Sequence, residues 1–556
     1  MSQAPDVWNF ATHEVTNQPA PLADVNLFSG DSALREGVAR EGAAAGLAEM
    51  EAFGAACGSE ARLELGRLAN AIPPQLATHD RYGQRIDVVS YHPAYHALMR
   101  GAIEAGLHAA PWRAPGPGAH VARAARFYVQ TQVEAGHLCP ITMTFACVPV
   151  IAREPGLAAL WLPKILSDRY DARDLPLSQK HGATVGMAIT EKQGGSDVRA
   201  NATTATPTGD GESWRLVGHK YFVSAPMSDA FLVLAQAEPA GGSAGGLTCF
   251  LMPRWLEETR NFFEIVRLKP KMGNVSNATA EIELRGALAW RIGAEGRGLA
   301  AILGAVAMTR FDCMVGSAAG MRAALAQALD HCRQRMAFGR ALADQPLMAV
   351  TLADLALEAE AALALVLRVA RALDASDNPA EAALARAAVP LGKYWLCKRA
   401  PGLASEAMEC IGGSGFIEDG PMPRLYREAP VNAIWEGSGN IQCLDLLRAF
   451  SRQPETAEAL LGEIEQARGV DGGFDREAAA LRAEFAAWAA CPEGQARAVA
   501  ERLACALQAS LMLRGAPSAV AQAFCRSRLG NAGGRLYGAL AADADLDAIL
   551  TRAAPR

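Results

Sequence analysis

Hydrophobic and polar positions follow two rhythms along the 556 residues. Up to about Leu177 and again after Leu299, apolar positions recur every three or four residues, the spacing of helices that bury one stripe. From Asp31, DSALREGVAREGAAAGLAEMEAFGA opens on an N-cap candidate and keeps that spacing. PPQLATHDRYGQRIDVVSYHPAYHALM reads as a turn-rich excursion, with a helix restarting after Pro93. Residues 1–30, rich in Pro, Asn and Asp, predict an extended arm. Between Thr184 and Ala289 the period shortens. TVGMAIT, WRLVGHKYFVSA, DAFLVLAQA, GLTCFLMPR, FEIVRLKPK and TAEIELRGALA are short alternating or apolar runs bounded by turn residues, and they predict strands of a compact sheet or barrel. MRAALAQALDHCRQRMAFG and the alanine- and leucine-rich run from Met348 bring the helices back. The residues after Phe450 are again helical in pattern, punctuated by GVDGGFD and CPEG.

Helix, strand, then helix predicts segregated domains of an α+β protein, not a βαβ repeat. The divisions expected are residues 1–182 for the arm and a helical domain, 183–292 for a β-domain, 293–451 for a helical bundle and 452–556 for a helical extension.

Composition sharpens this only a little. Hydrophobic residues make up 51% and charged residues 20%, which indicates globular structure. Fifty-three basic against fifty-nine acidic residues give −6, so no global pull toward nucleic acid exists. Twelve cysteines scattered from Cys57 to Cys525, with no C-x-x-C pair, predict reduced, mostly buried thiols and a cytoplasmic protein. MSQAPDVWNFATHEVTNQPA lacks a basic stretch followed by an apolar one, and LALVLRVARAL is broken by Arg368 and Arg371, so neither a leader nor a membrane partner is expected. His92 and His96 stand four apart without a third ligand, and no metal site is expected. No G-x-S-x-G elbow is present.

Two segments carry candidate chemistry. In TEKQGGSDV (Thr190–Val198) the glycines let backbone N–H groups approach a phosphate or a polar ring edge, while Thr and Ser add hydroxyls. The same pattern is also an ordinary Gly-Gly turn between strands. It is not a dinucleotide fingerprint, and no phosphate loop of the G-x-x-x-x-G-K-[ST] kind occurs. In VNAIWEGSGNIQCLDLLRAF, Glu436 sits between bulky Ile434-Trp435 and a flexible Gly-Ser-Gly, just ahead of a helix. An acid against an apolar wall acts as a general base near neutral pH. On spacing alone, a helix start with Ser438 as cap and Glu436 solvated is the simpler reading.

In this order, the pieces resemble the acyl-CoA dehydrogenase flavoprotein family over roughly residues 130 to 450. The fold implied is a helical amino-terminal domain, a middle β-domain and a helical bundle, here with an extra carboxy-terminal helical domain, and the cofactor implied is FAD. ITEKQGGSDV is similar to the family's first flavin segment, which implies contacts from Ile189, Thr190, Glu191, Gly194, Gly195 and Ser196. HKYFVSA is similar to the second, placing Phe222, Val223 and Ser224 along the isoalloxazine. RMAFG with Gln345 resembles the R-x-x-F-G segment, so Arg335, Phe338 and Gln345 would reach the FAD diphosphate of a neighbouring subunit. ECIGGSGF resembles the turn against the adenosine half, giving that role to Gly412 and Gly413. IWEGSGNIQ resembles the segment that carries the catalytic base, with Ile434, Trp435, Gly437, Ser438, Gly439 and Asn440 at the cofactor and Glu436 as the base.

One branch of the family keeps its base on a helix, immediately before an arginine. Here that position is Thr309, ahead of Arg310, which leaves Glu436 as the candidate. The resemblance assigns Ser196 and Arg310 to the acyl-CoA substrate, while the residues alone equally allow Arg310 an interhelical ion pair. The mechanism implied is removal of an acyl thioester's α-proton by Glu436 as the β-hydrogen leaves as hydride to the flavin N5. The Glu436 N–H and a ribityl hydroxyl would form the oxyanion hole.

Lys192-Gln193 in place of Pro-Gly, Gly439-Asn440, the Thr78–Met99 excursion and the carboxy-terminal domain look like the AidB branch, homologues induced in the bacterial response to DNA alkylation. That likeness implies a homotetramer, weak acyl-CoA dehydrogenation, double-stranded DNA as a partner, and an electron-transfer flavoprotein as a candidate acceptor. A second reading is a DNA-associated protection protein whose FAD is structural or oxidises alkylating agents. From residue 453 onward eleven arginines face thirteen acids, but Leu503–Ala542 holds no acid. Arg514, Arg526, Arg528 and Arg535, with Arg448, would make a phosphate-contacting face, or else a solvated face used in subunit contacts.

Overall fold

A computed structural model describes residues 12–238, 245–488, 491–529, 537, 540 and 543–555. The amino-terminal part is α1 (Ser32–Val38), α2 (Leu47–Gly58), α3 (Glu60–Ala71), a hairpin of β1 (Gln75–His79) and β2 (Arg85–Ser90), then α4 (Pro93–Glu104), α5 (Ala110–Arg113), α6 (Ala119–Val133), α7 (Leu138–Ile151) and α8 (Pro155–Ile165). Asp31 starts α1 as expected, its Oδ1 accepting from the Leu34 N–H at 3.1 Å. The Thr78–Met99 excursion differs from expectation: it contains a two-stranded hairpin before the helix. Asp80 builds its turn by accepting from the N–H groups of Tyr82 and Gln84.

The middle part carries β3 (Val185–Ala188), β4 (Thr204–Pro207), β5 (Ser213–Ser224), β6 (Ala230–Ala237), β7 (Gly246–Pro253), β8 (Trp255–Leu256), β9 (Thr259–Arg260), β10 (Phe263–Leu268) and β11 (Thr279–Ile292). The main sheet runs β10-β11-β5-β4-β6-β3, and β7 pairs with both β6 and β11. Strands β11, β5, β4, β6 and β7 therefore close on themselves. Their inward residues, Leu216, Phe231, Val233, Phe250, Ile282 and Leu284 among them, fill the centre.

The remaining helices are α9 (Gly298–Gln334), a small β12 (Met336–Ala337) and β13 (Arg340–Ala341) hairpin, α10 (Pro346–Asp374), α11 (Pro379–Ile411), α12 (Gly413–Phe416), α13 (Met422–Glu428), α14 (Gly439–Arg452), α15 (Pro454–Glu465), α16 (Gly472–Trp488), α17 (Ala496–Gly515), α18 (Ser518–Arg528) and α19 (Leu546–Ala553). One continuous core joins α6, α9, α10 and α11 to the extension helices α15 and α17. Among the described residues only α9 is long and apolar enough to cross a bilayer. Phe311, Met314, Val315, Ala318 and Leu325 on it are buried in this core, the position of a central bundle helix. The twelve cysteines are free thiols, ten of them buried.

Three of the arginines expected on a phosphate-contacting face, Arg514, Arg526 and Arg528, are engaged in ion pairs. Arg528 is turned inward, its Nη2 2.7 Å from Asp354 Oδ1 and 3.1 Å from Glu358 Oε2 on α10. Arg514 reaches Glu463 at 2.5 Å, and Arg526 pairs with Asp543. The acids these arginines meet lie on neighbouring helices or beyond Ala542, so an acid-free stretch of sequence is not an acid-free surface. Arg448 is exposed, and Arg535 lies outside the described residues.

Candidate functional site

A cavity of about 620 Å³ opens between the β-domain and the bundle. The β-domain contributes Ile189, Thr190, Gly195, Ser196, Phe222 and Ser224; α9 contributes Ile302, Val306, Thr309 and Arg310; the segment ahead of α14 contributes Ile434, Trp435, Glu436 and Gly437. The sequence predicted most of these separately. The fold brings them to one space because the β3–β4 connection and the end of β5 face the helix pair α9 and α11.

Glu436 is the charged centre of this wall. It adopts a left-handed conformation, φ 57°, followed by Gly437 at 93°, and its Oε2 lies 2.6 Å from Thr309 Oγ1. The segment is tied from behind. Arg310 Nε and Gln442 Nε2 each donate to Glu436 O at 3.0 Å. Lys393 Nζ donates to Trp435 O at 2.8 Å and to Gly437 O at 2.5 Å. Trp435 Nε1 donates to Asn432 Oδ1 at 3.0 Å, fixing the indole beside the acid. Ser438 does occupy the N-cap of α14, but its side chain makes no capping bond. Arg310 lines the cavity and pairs with Asp445 at 2.6 Å, the interhelical ion pair that the residues alone allowed.

Several predicted side chains do not face the cavity. Glu191 is buried and paired with Lys220 at 2.7 Å, and it also accepts from the N–H groups of Ala202 and Thr203. Its work is to brace the glycine loop. Although burial opposes ionisation, the Lys220 ammonium and these hydrogen bonds hold its carboxyl at about 2. Val223 points into the barrel core, as strand alternation requires for a neighbour of Phe222 and Ser224. Gly194 closes a turn with Glu191. The Asn440 side chain accepts from Arg497 of α17, and Gly439 packs against Tyr394 and Lys398.

Arg335, Phe338, Gln345, Gly412 and Gly413 lie away from this cavity. Phe338 stands at the tip of the β12–β13 hairpin, 98% exposed with φ 51°. Gln345 supports that hairpin by donating to Ala337 O. Gly412 ends α11 with φ 76°, and a Cβ there or at Gly413 would meet nothing within 4 Å.

A polar group in the cavity wall escaped the sequence reading. Glu134, Lys271 and Glu428 all line it. Burial favours the neutral form of Glu134, but a hydrogen bond and charge from His137 outweigh this and hold it at about 2. Burial pushes Glu428 up to about 7, with the Glu134 charge adding to the effect. Burial brings Lys271 down to about 8. The available signal was a lone carboxylate in an otherwise acid-free run, VQTQVEAGHLCPI, where two helices meet. No group of three or more potential metal ligands occurs among the described residues.

Family models match three successive parts of the chain: the adaptive response protein AidB N-terminal domain over residues 17–172, the acyl-CoA dehydrogenase middle domain over 186–287 and the acyl-CoA dehydrogenase C-terminal domain over 296–450. The chain is 46% identical over 529 residues to the Escherichia coli (strain K12) protein AidB, covering 95% of this chain and 96% of that one. It is 32% identical over 434 residues to acyl-CoA dehydrogenase family member 11 of Caenorhabditis elegans, covering 76% and 69%. Among solved structures, C. elegans ACDH-11 in complex with C11-CoA superposes with a TM-score of 0.84 at 26% identity, covering 100% of this chain and 95% of that one. A Bacillus anthracis acyl-CoA dehydrogenase complexed with FAD gives a TM-score of 0.62 at 19% identity, covering 79% and 81%.

Proposed function

Because the chain belongs to the acyl-CoA dehydrogenase family, we propose that it is an FAD-dependent oxidoreductase that desaturates an acyl thioester between its α and β carbons. The observation that carries this reading is the position of Glu436: its carboxylate stands at the cavity beside Thr309 and Trp435, close to the apolar side chains of α9. The residues present suit FAD. At Gly195 a Cβ would meet no atom within 4 Å, so its backbone stands open beside Thr190 and Ser196. Phe222, 49% exposed, offers a ring face to the cavity. When bound, FAD supplies the oxidant that takes up the β-hydrogen as hydride.

The chain's own part is positioning and proton transfer. The apolar side chains of α9, Leu299, Ile302 and Val306, hold an acyl chain and exclude water. Glu436 takes the α-proton. The Thr309 hydroxyl donates to the carboxylate and holds it in place beside the cavity. The left-handed turn at Glu436 keeps the side chain aimed into the cavity, where a relaxed loop would let it rotate to solvent. The C. elegans relative forms a complex with C11-CoA, which makes undecanoyl-CoA the first compound to try. Twelve free thiols suit a reducing cytoplasm.

The test is anaerobic bleaching of the visible flavin band by undecanoyl-CoA in the wild type and in Glu436→Gln. The wild type should bleach, and Glu436→Gln should bind flavin normally but bleach about 10²–10⁴-fold more slowly, the usual cost of losing a positioned base. Equal rates in the two proteins would refute the assignment.

A further inference from the structure

The segment that carries Glu436 is held in place by one buried ammonium. Lys393, in the middle of α11, is 0% exposed. It makes no ion pair among the described residues, and its Nζ donates instead to the carbonyls on either side of Glu436. Burying an ammonium is expensive unless it is well hydrogen-bonded. A methionine or leucine would fill the same space without that cost, so the ammonium points to a task.

The task is visible in the backbone. A left-handed conformation costs a non-glycine residue roughly 1–2 kcal/mol, and Glu436 holds one with φ 57° next to Gly437 at 93°. Three successive carbonyls, those of Trp435, Glu436 and Gly437, are each met by a side-chain donor. Lys393 is the donor that spans the first and third, tying the peptide before Glu436 to the one after Gly437. Arg310 and Gln442 hold the peptide between them, and Gln442 also reaches Gly437 O.

We infer that Lys393 is a positioning residue for Glu436: it sets the direction of the carboxylate and places a positive charge behind it, without touching the substrate. This rests on the reading of Glu436 as the base. The groups around the carboxylate are few. Thr309, Arg310 and Cys313 face it from α9, and the thiols Cys139 and Cys147 from α7. Asp445 on α14 is engaged by both Arg310 and Arg386. Lys271 and Lys393 are cations near the cavity that make no ion pair among the described residues: Lys271 donates to Asn277 O and Thr279 Oγ1 of the β-domain, and Lys393 donates to the Glu436 segment itself.

The experiment uses the full-length FAD-loaded protein with Lys393→Met and Lys393→Arg, beside Glu436→Gln. Hydrogen exchange over residues 431–438 reads the clamp with no substrate present, and anaerobic bleaching across a range of undecanoyl-CoA concentrations reads its consequence. Lys393→Met should exchange faster in that segment and keep its FAD. Its bleaching at saturating undecanoyl-CoA should be about 10²-fold slower, as small misplacements of a catalytic group are, while the half-saturating concentration stays as in the wild type. A lysine that only supports the fold would not lower the rate alone. Should Lys393→Met fail to fold, Lys393→Arg carries the test, with faster exchange and slower bleaching. Wild-type exchange and a wild-type bleaching rate in whichever variant folds would overturn the proposal. Wild-type bleaching in Glu436→Gln would instead overturn the base assignment, and the exchange result would still report on the clamp.

Discussion

Thr309 Oγ1 lies 2.6 Å from Glu436 Oε2, across 127 positions of sequence. The single hydroxyl proton has two acceptors, since Val306 O is 3.0 Å away, and the shorter contact is to the carboxyl. Thr309 is therefore a hydrogen-bond partner of the proposed base, Glu436.

Thr309→Val keeps the shape and removes the donor. A hydrogen bond to a charged group contributes about 1.5–3 kcal/mol, so without it the carboxylate is no longer held in one position. Flavin bleaching should slow by about tenfold or more, with flavin content unchanged. In a Glu436→Gly background, Thr309→Glu returns a carboxylate to the same corner of the cavity. Recovery of a measurable part of the bleaching rate is expected, read by stopped-flow absorbance.

The architecture was legible because its signals are local. The strand runs between Thr184 and Ala289 became β3 to β11, since alternation and flanking turns are properties of a few consecutive residues. The β1–β2 hairpin was missed because its strands are only five and six residues long and polar residues, Asp87 among them, interrupt their apolar positions. Glu436 was legible only through a motif. Its surroundings were not, because Thr309, Lys393 and Gln442 come from three helices and no spacing links them. The arginines of the extension failed for the same reason: a sequence shows which acids are near in number, and Glu358 is 170 positions from Arg528.

The buried carboxyl of Glu428 gives a pH signature. Its folded-state value, about 7, lies above the ordinary 4.5. Between those values the folded protein holds a proton that the unfolded chain has lost, so stability falls as pH rises through this window and stays reduced above it. Glu428→Gln removes that penalty. Its thermal midpoint should exceed the wild type's at pH 8 and match it near pH 5. A gain of equal size at both values would contradict the account.

The α9 side of the cavity offers a test of where the proposed acyl chain runs. Gly316 and Gly320 line it, and a Cβ at Gly320 would meet nothing within 4 Å. Gly320→Leu would fill that space while gaining about 1 kcal/mol of helix propensity, so it should fold. Each buried methylene of a ligand contributes about 0.8 kcal/mol. Binding of undecanoyl-CoA should weaken by about tenfold or more, with butyryl-CoA unaffected, as measured by calorimetry. Parallel losses for both thioesters would show that the acyl chain does not run past Gly320.

The β12–β13 hairpin predicts assembly. Its tip, Phe338, is 98% exposed, and Leu347 and Phe416 are 83% and 79% exposed. Asn17 of the arm clasps the hairpin through Met336 N and O and the Arg335 guanidinium. Sedimentation of the wild type should show dimers or tetramers, and Phe338→Asp should shift it to smaller species with less bound FAD. A monomer that holds a full complement of FAD would contradict a role for Arg335 and Phe338 at a neighbouring subunit's cofactor.

Arg528 separates a docking role for the extension from a nucleic-acid one. Its guanidinium sits between Asp354 and Glu358 on α10, 13% exposed, with Arg399 on the other side of Glu358. Burial works against its charge, but the two acids outweigh this and raise its pKa above the usual value. Removing one partner of a buried pair leaves the other uncompensated and costs about 3–5 kcal/mol. Arg528→Met should therefore loosen α18 from the bundle, lowering the thermal midpoint and raising hydrogen exchange across residues 518–528. Arg448→Glu, at an exposed position, should leave both unchanged. If duplex DNA binding is detected, its logarithm should fall against the logarithm of salt with a slope near −0.9 per phosphate contact. Loss of an Arg448 contact then lowers that slope by about one. Arg528→Met should leave the slope as it was in any preparation that remains folded. A slope that changed with Arg528→Met, at unchanged stability, would place that arginine on phosphate after all.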